Sequence, residues 1–357
     1  MNYKPQTLTA LLIVSGIAYS GFTASVFTRS AMAAIADEAA APANAAGQET
    51  APATPAAGQE AAPAAGESPD PTVPAAQDVL TQVRSKLESV DSLKCSVQET
   101  AILSGMKFAA YGNYVQASGN RVRLEFQIFP SLSAKATDGT PKIDSDVKTP
   151  DPKTSSGQLL QVSTGSILYS EWKNGPIVRV TRRNLADIFK AAGETTNYDA
   201  TRAVQDLGVG GLTGLIARLQ STMDFAMVKR ENHGGVELLV LTGRWTSKVR
   251  KEIFRIEDDI QVIPEDFVPE YARLYIDSQT MLPRRLQYLK RGPDPSQKIV
   301  RPIVTLDFRQ IVLNEAVADE LFSYKAPDDV QEEDITEQTI KNMQMLTQPK
   351  TETPKTP

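Results

Sequence analysis

Reactive side chains are almost missing from this chain. Among 357 residues there is one cysteine, Cys95, and one histidine, His233. A single cysteine cannot close an internal disulfide, and without a His/Cys cluster neither a zinc site nor a nucleophile–base pair can be built from the usual ligands. Cys95 alternates with polar neighbours in SLKCSVQET and reads as a small inward-facing residue, not as a reactive thiol. His233, in ENHGG between two strand-like runs, reads as a solvent-exposed loop residue. Metal ligands and cofactors are therefore expected to be none. Paired acids occur at Asp258–Asp259 and Glu265–Asp266 in RIEDDIQVIPEDF. Glycoside hydrolysis needs two carboxyls facing each other across a bond, and adjacent acids in a loop are more simply solvated surface. The catalytic set is therefore empty, and the chain is not expected to be an enzyme.

A strong net charge is lacking too. The formal charge is −5, with 38 basic and 43 acidic residues. Two of those bases and six of those acids precede Asp78, so the remainder is close to neutral. Such a balance gives no global attraction to nucleic acid.

Long apolar runs are scarce, and the one present is N-terminal. TLTALLIVSGIAYSGFTASVF follows Lys4 and is followed by Arg29 and SAMAA. This pattern fits an export signal over residues 1–33, cleaved after Ala33. The run Thr9 to Phe27 is also just long enough to cross a bilayer, so an uncleaved inner-membrane anchor is the alternative. Either way the chain is expected to be exported to the periplasm. Residues 34–77 are Ala, Pro, Gly and acid, with near-copies APANAAGQE, TPAAGQE and APAAGE. Such a segment cannot bury enough apolar area to offset its ordering entropy and is expected to be a disordered linker.

The rest, residues 78–345, carries the pattern of a folded domain, with a tail at 346–357. Val79, Leu80, Val83, Leu87 and Val90 recur at helical spacing after Asp78, a candidate N-cap. Alternating runs follow, separated by Gly-containing turns. In NRVRLEFQIF, Val122, Leu124, Phe126 and Ile128 point to one face while Arg121, Arg123, Glu125 and Gln127 point to the other. Residues 131–157 are polar and read as a loop insertion. Strands resume, Asn184 caps a short helix ended by Gly193, and further strand runs close the domain. Among them VELLVLTGRW is apolar on both faces, which predicts cover on both sides. Many antiparallel strands with a few helices predict a mainly β (α+β) fold: a curved antiparallel sheet or incomplete β-barrel with helices covering its concave face.

Between the two sets of strands lies LGVGGLTGLIARLQSTMDF. A dinucleotide fingerprint needs glycine at the first, third and sixth positions, and a P-loop ends in Gly-Lys-Ser/Thr. Here the sixth position is Thr213, Gly214 is followed by Leu215–Ile216, and no base occurs before Arg218. The glycines instead permit a tight turn. They lead into a helix whose Leu212, Leu215, Ile216 and Leu219 form one apolar stripe, either a permanent plug or a lid.

Three stretches carry a resemblance to the LolA-like lipoprotein-sorting (lipoprotein carrier) proteins of the bacterial envelope. LYIDSQTMLPRRLQYLK (274–290) resembles that family's strand–turn–strand signature. VTLDFRQIVLNEAVADELFSYKAPDDV (304–330) is similar to its closing strand, Asn turn, Phe and Pro-Asp ending. The opening helix followed by KCSVQET and a long hairpin keeps the family's order. The resemblance implies a half-barrel that takes up the acyl chains of a lipid or lipoprotein without chemistry. Its cavity wall would comprise Val122, Leu124, Phe126, Ile128, Leu274, Ile276, Val304, Leu306 and Phe308, and its lid helix Leu212, Leu215, Ile216 and Leu219. An alternative of the same fold is a membrane-tethered sensor or scaffold that binds an envelope protein partner.

Overall fold

A computed structural model describes residues 60–61, 74–103, 106–130, 150–195, 198–254, 256, 268–292 and 299–347. The export segment, most of the linker, the centre of the insertion, the paired acids at 258–259 and 265–266, and residues 348–357 lie outside the described residues.

Helix α1 (Ala76–Glu88) places Val79, Leu80, Val83 and Leu87 on its buried face, as their spacing requires. It starts at Ala76 with Ala75 as N-cap, so Asp78 lies in the first turn and does not cap it. A long meander follows: β2 (Ser92–Leu103), β3 (Met106–Ala117), β4 (Arg121–Pro130), β5 (Gly157–Thr164), β6 (Ile167–Asn174) and β7 (Ile177–Asn184). The described end of the insertion holds a single 3-10 turn, Pro152–Thr154, and Gly157 already belongs to β5.

The chain then crosses from one sheet edge to the other through α2 (Leu185–Gly193), α3 (Ala200–Asp206) and α4 (Gly211–Thr222). Asn184 caps α2, its Oδ1 accepting from the N–H groups of Ala186 at 3.0 Å and Asp187 at 3.3 Å. The second half comprises β8 (Met223–His233), β9 (Val236–Trp245), β10 (Tyr271–Asp277), β11 (Pro283–Arg291) and β12 (Ile299–Leu313). The short α5 (Ser247–Val249), which runs into a π-helical turn to Phe254, separates β9 from β10.

With β13 (Glu332–Asp334), these strands form, among the described residues, one curved 13-stranded sheet, ordered β13-β7-β6-β5-β4-β3-β2-β12-β11-β10-β9-β8. The thirteenth is β1 (Glu60–Ala61), which pairs with Ile299 and Val300 of β12, so that part of the segment expected to be linker is attached to the sheet. Antiparallel pairing prevails, but β13 (Glu332–Asp334) joins β7 in parallel.

The two family-like stretches are explained by turn chemistry. After β10, Asp277 Oδ1 accepts from the N–H groups of Gln279 and Thr280 while Arg284 binds Oδ2 at 2.9 Å, which ties the turn into β11. After β12, Asn314 adopts φ 57° and its Oδ1 accepts from Asp91 N–H at 2.9 Å.

Beyond Asn314 a strap runs over the sheet face remote from α1 and α4. Phe322 is buried under the Arg121 guanidinium, Arg123 donates to the Leu321 carbonyl, and the Tyr324 hydroxyl donates to Glu171 at 2.7 Å. It ends in β13 and α6 (Thr336–Thr347), whose Met343 packs with Ile188, Ala192 and Tyr198. This helix was expected to be tail from residue 346.

Candidate functional site

Register brings the expected wall residues into rows across the sheet. One row runs Leu241, Leu274, Leu286, Leu306, Glu99, Ala110 and Ile128, from β9 to β4. The next holds Phe308, Val97, Gly112 and Phe126. A Cβ on Gly112 would lie 1.6 Å from the Glu125 carbonyl oxygen and 2.8 Å from the Phe126 ring, so only glycine allows this approach of β3 to β4.

Val122, Leu124, Phe126, Ile128, Leu274, Ile276, Val304, Leu306 and Phe308 are all buried, and all belong to one hydrophobic cluster. Leu212, Leu215, Ile216 and Leu219 of α4 belong to the same cluster, together with Val79, Leu80, Val83 and Leu87 of α1. Sheet and helix residues thus meet directly and fill the concave side. Met223, at the margin of the predicted stripe, is the first residue of β8.

The glycine-rich entry of α4 is built to sit on β3. Gly211 has φ 60°, and a Cβ there would lie 2.3 Å from Gln116 Oε1 and 2.4 Å from the Tyr114 hydroxyl. Gln116 Oε1 accepts from the Tyr114 hydroxyl at 2.8 Å and from the Leu212 N–H at 3.0 Å. One side-chain oxygen therefore satisfies a free amide at the helix start. Farther along, Arg218 of α4 reaches buried Asp206 at 3.1 Å, and Asp206 accepts from the Tyr198 hydroxyl at 2.7 Å. Two polar latches thus hold a helix whose underside is wholly apolar.

Sequence reasoning missed Glu99, although it falls in phase with Leu93, Cys95, Val97 and Ala101 on the alternating strand β2. It is 3% exposed, and its Oε1 has no hydrogen-bond partner. Burial pushes the Glu99 carboxyl up to about 8 and the Cys95 thiol up to about 12. A neutral carboxylic acid and an inert thiol fit the apolar surroundings. Gln116 and Arg218 were also missed as latch residues, because their partners Leu212 and Asp206 lie on other elements.

Two further expectations change. His233 is not solvent-exposed: it ends β8, its Nε2 is 2.7 Å from Glu231, and its ring meets Tyr275 edge-on at 6.2 Å. On β9, Leu239 and Leu241 face the helices, while Leu238 and Val240 pack on the other face with the neighbouring strand's Tyr275 and, among the described residues, with no helix. No helix among the described residues is long and apolar enough to cross a membrane.

No family model matches the chain, and no curated protein matches it by sequence. Among solved structures it is similar to the lipoprotein LppX of Mycobacterium tuberculosis, at 10% identity and a TM-score of 0.32, over 68% of this chain and 98% of that one. It is similar to a LolA superfamily protein from Nitrosomonas europaea, at 9% identity and a TM-score of 0.26, over 71% and 99%. The MucA/MucB complex from Pseudomonas aeruginosa is matched at 11% identity and a TM-score of 0.29, over 70% of this chain and 60% of that one.

Proposed function

We propose that this is a non-enzymatic protein of the cell envelope that takes up the acyl chains of a lipid or lipoprotein between its concave sheet face and helix α4, in the manner of lipoprotein sorting. The observation that carries this reading is the single apolar cluster shared by the sheet rows and the undersides of α1 and α4. Hydrocarbon inserted there would replace contacts of its own kind, each buried methylene contributing about 0.8 kcal/mol without a polar partner. The polar ties of α4, Gln116 with Leu212 and Arg218 with Asp206, are few enough to release while the helix keeps its own hydrogen bonds. In this reading residues 1–33 direct export to the periplasm, 34–77 tether the domain at 78–345, and the nine wall and four lid residues named above contact the chain.

The test is uptake of a fluorescent fatty acid by the purified protein. Saturable uptake, abolished by Leu215→Glu with the circular dichroism spectrum unchanged, is expected. A folded protein that takes up no probe and carries no lipid in its native mass spectrum would overturn the reading. The close fit of α4 in the cluster also supports a second reading, a scaffold whose filled interior is structural and whose partner is an envelope protein. Retention of the N-terminal apolar segment in the mature chain, measured by mass, favours that one.

A further inference from the structure

The concave face changes character where the sheet passes from β4 to β7. Register carries the row of Leu124 on to Gln161, Ser170 and Thr181, and the row of Val122 on to Ser163, Leu168 and Arg183. These rows stay on the helix side, for Leu168 packs there with Leu185 and Val209. The apolar cluster reaches their margin: Leu159 belongs to it, and Trp172, two residues along β6 from Ser170 and on the same face, packs against it.

Arg183 is buried in this polar corner, 6% exposed. Its guanidinium makes one hydrogen bond, from Nη1 to Ser170 Oγ at a long 3.4 Å, and among the described residues no carboxylate pairs with it. Arg285, buried on the other face, is by contrast met by both oxygens of Asp307. A buried charge costs free energy unless a counter-charge meets it. The Arg183 Nε and Nη2 are unbonded yet not sealed from solvent, and together they make the planar fork that matches a carboxylate or a phosphate. Beside them the Ser170 hydroxyl accepts from Arg183 and from Gln161 Nε2, each at 3.4 Å, so its own O–H remains to donate. Every group left over in this corner is a donor, one of them charged, and the acceptor that satisfies such a set is anionic oxygen.

We infer that Arg183 and Ser170 form the head-group site for the acyl ligand. An anionic head, carboxylate or phosphate, sits on the Arg183 fork while its hydrocarbon chain runs over Leu159 and Trp172 into the apolar cluster. The inference rests on acyl-chain uptake and adds the charge of the lipid taken up.

Three fluorescent probes of one chain length test it on the purified protein: a fatty acid, the matching alkyl phosphate and the methyl ester of the acid. The wild type is expected to bind the anions about tenfold more tightly than the ester, the worth of one charge-assisted hydrogen bond, and the ranking of acid against phosphate identifies the head group. Arg183→Gln should bring the anions down to the level of the ester, leave ester binding unchanged and not lower the melting temperature of the ligand-free protein, since no carboxylate loses a partner. Arg183→Lys should retain part of the preference. Should Arg183→Gln fail to fold, Ser170→Ala decides, with an expected narrowing of the preference by about threefold. An ester bound as tightly as the anions by the wild type, or a preference undiminished by these substitutions, overturns the head-group assignment and leaves acyl-chain uptake standing. Uptake of none of the three probes overturns both.

Discussion

On the concave face, Leu241, Leu274, Leu286, Leu306 and Ile128 line up strand after strand against α1 and α4, and the one ionisable side chain in their row is Glu99. On the other face of the same strands, Asp307 takes Arg285 at 2.5 Å and Arg309 at 3.6 Å. The first face is held by burial and by shape. The second is held by matched charges that are themselves buried: Arg285 is 9% exposed and Asp307 7%. Apolar contacts are non-directional, whereas a bidentate ion pair has one geometry and fixes the strands beneath it.

The contrast fails most severely if the concave face is not close-packed. Phe308→Ala, which removes a ring 1% exposed, is expected to cost about 3–5 kcal/mol, read from the denaturation midpoint. A loss below about 1 kcal/mol would mean that the concave face is loosely filled.

Glu99 sharpens it in the opposite sense. Its carboxyl is pushed up to about 8 by burial, from the ordinary value of 4.5. As pH rises, the unfolded chain gives up this proton before the folded one does. Stability from this group is therefore full below pH 4.5, falls between 4.5 and 8, and levels off above 8. Glu99→Leu is expected to stabilise the protein at pH 8 by about 2–4 kcal/mol and to flatten that slope. Urea titrations at pH 5 and pH 8 decide it, and equal wild-type stability at both would show that Glu99 has found a partner.

Smaller effects belong to the latches. Gln116→Ala removes the acceptor of both the Tyr114 hydroxyl and the Leu212 amide and should cost about 1–2 kcal/mol. The loss should appear in hydrogen exchange as faster opening of α4 ahead of the sheet; uniform acceleration throughout would count against an independently moving helix.

The smallest effect is on the strap. The Asp319 side chain that meets Arg121 is 86% exposed, and Asp319→Ala is expected to change stability by less than about 1 kcal/mol. A larger loss would show that the strap is held at this one point and not along its length.

Much of the concave face is legible in the sequence because alternation and helical spacing are local. Val122 to Ile128 declare their face within eight residues, and Leu212 to Leu219 declare theirs within two turns. Glu99 breaks the polar–apolar expectation in an otherwise readable strand, and so escapes notice. The strap and α6 are hardly legible: β13 is three acidic residues, and the buried face of α6 exists only because Ile188 and Ala192 are there to receive Met343. A polar cavity of about 520 Å³ on the outer sheet face is invisible from the sequence, since Gln98, Gln127 and Gln310 are ordinary polar residues until β4, β3, β2 and β12 line up side by side.

The sequence by itself determined which side of each strand and helix is oily, because side-chain alternation follows from backbone geometry alone. That Gly211 must lead into α4 comes from the fold, since its φ is 60° and the Gln116 oxygen would lie 2.3 Å from a Cβ there. Tertiary structure placed β12 beside β2, and with it joined the leucines of β9 to β12 to Glu99, Ala110 and Ile128. That pairing brings together residues some 200 positions apart, for which a linear chain carries no local signal.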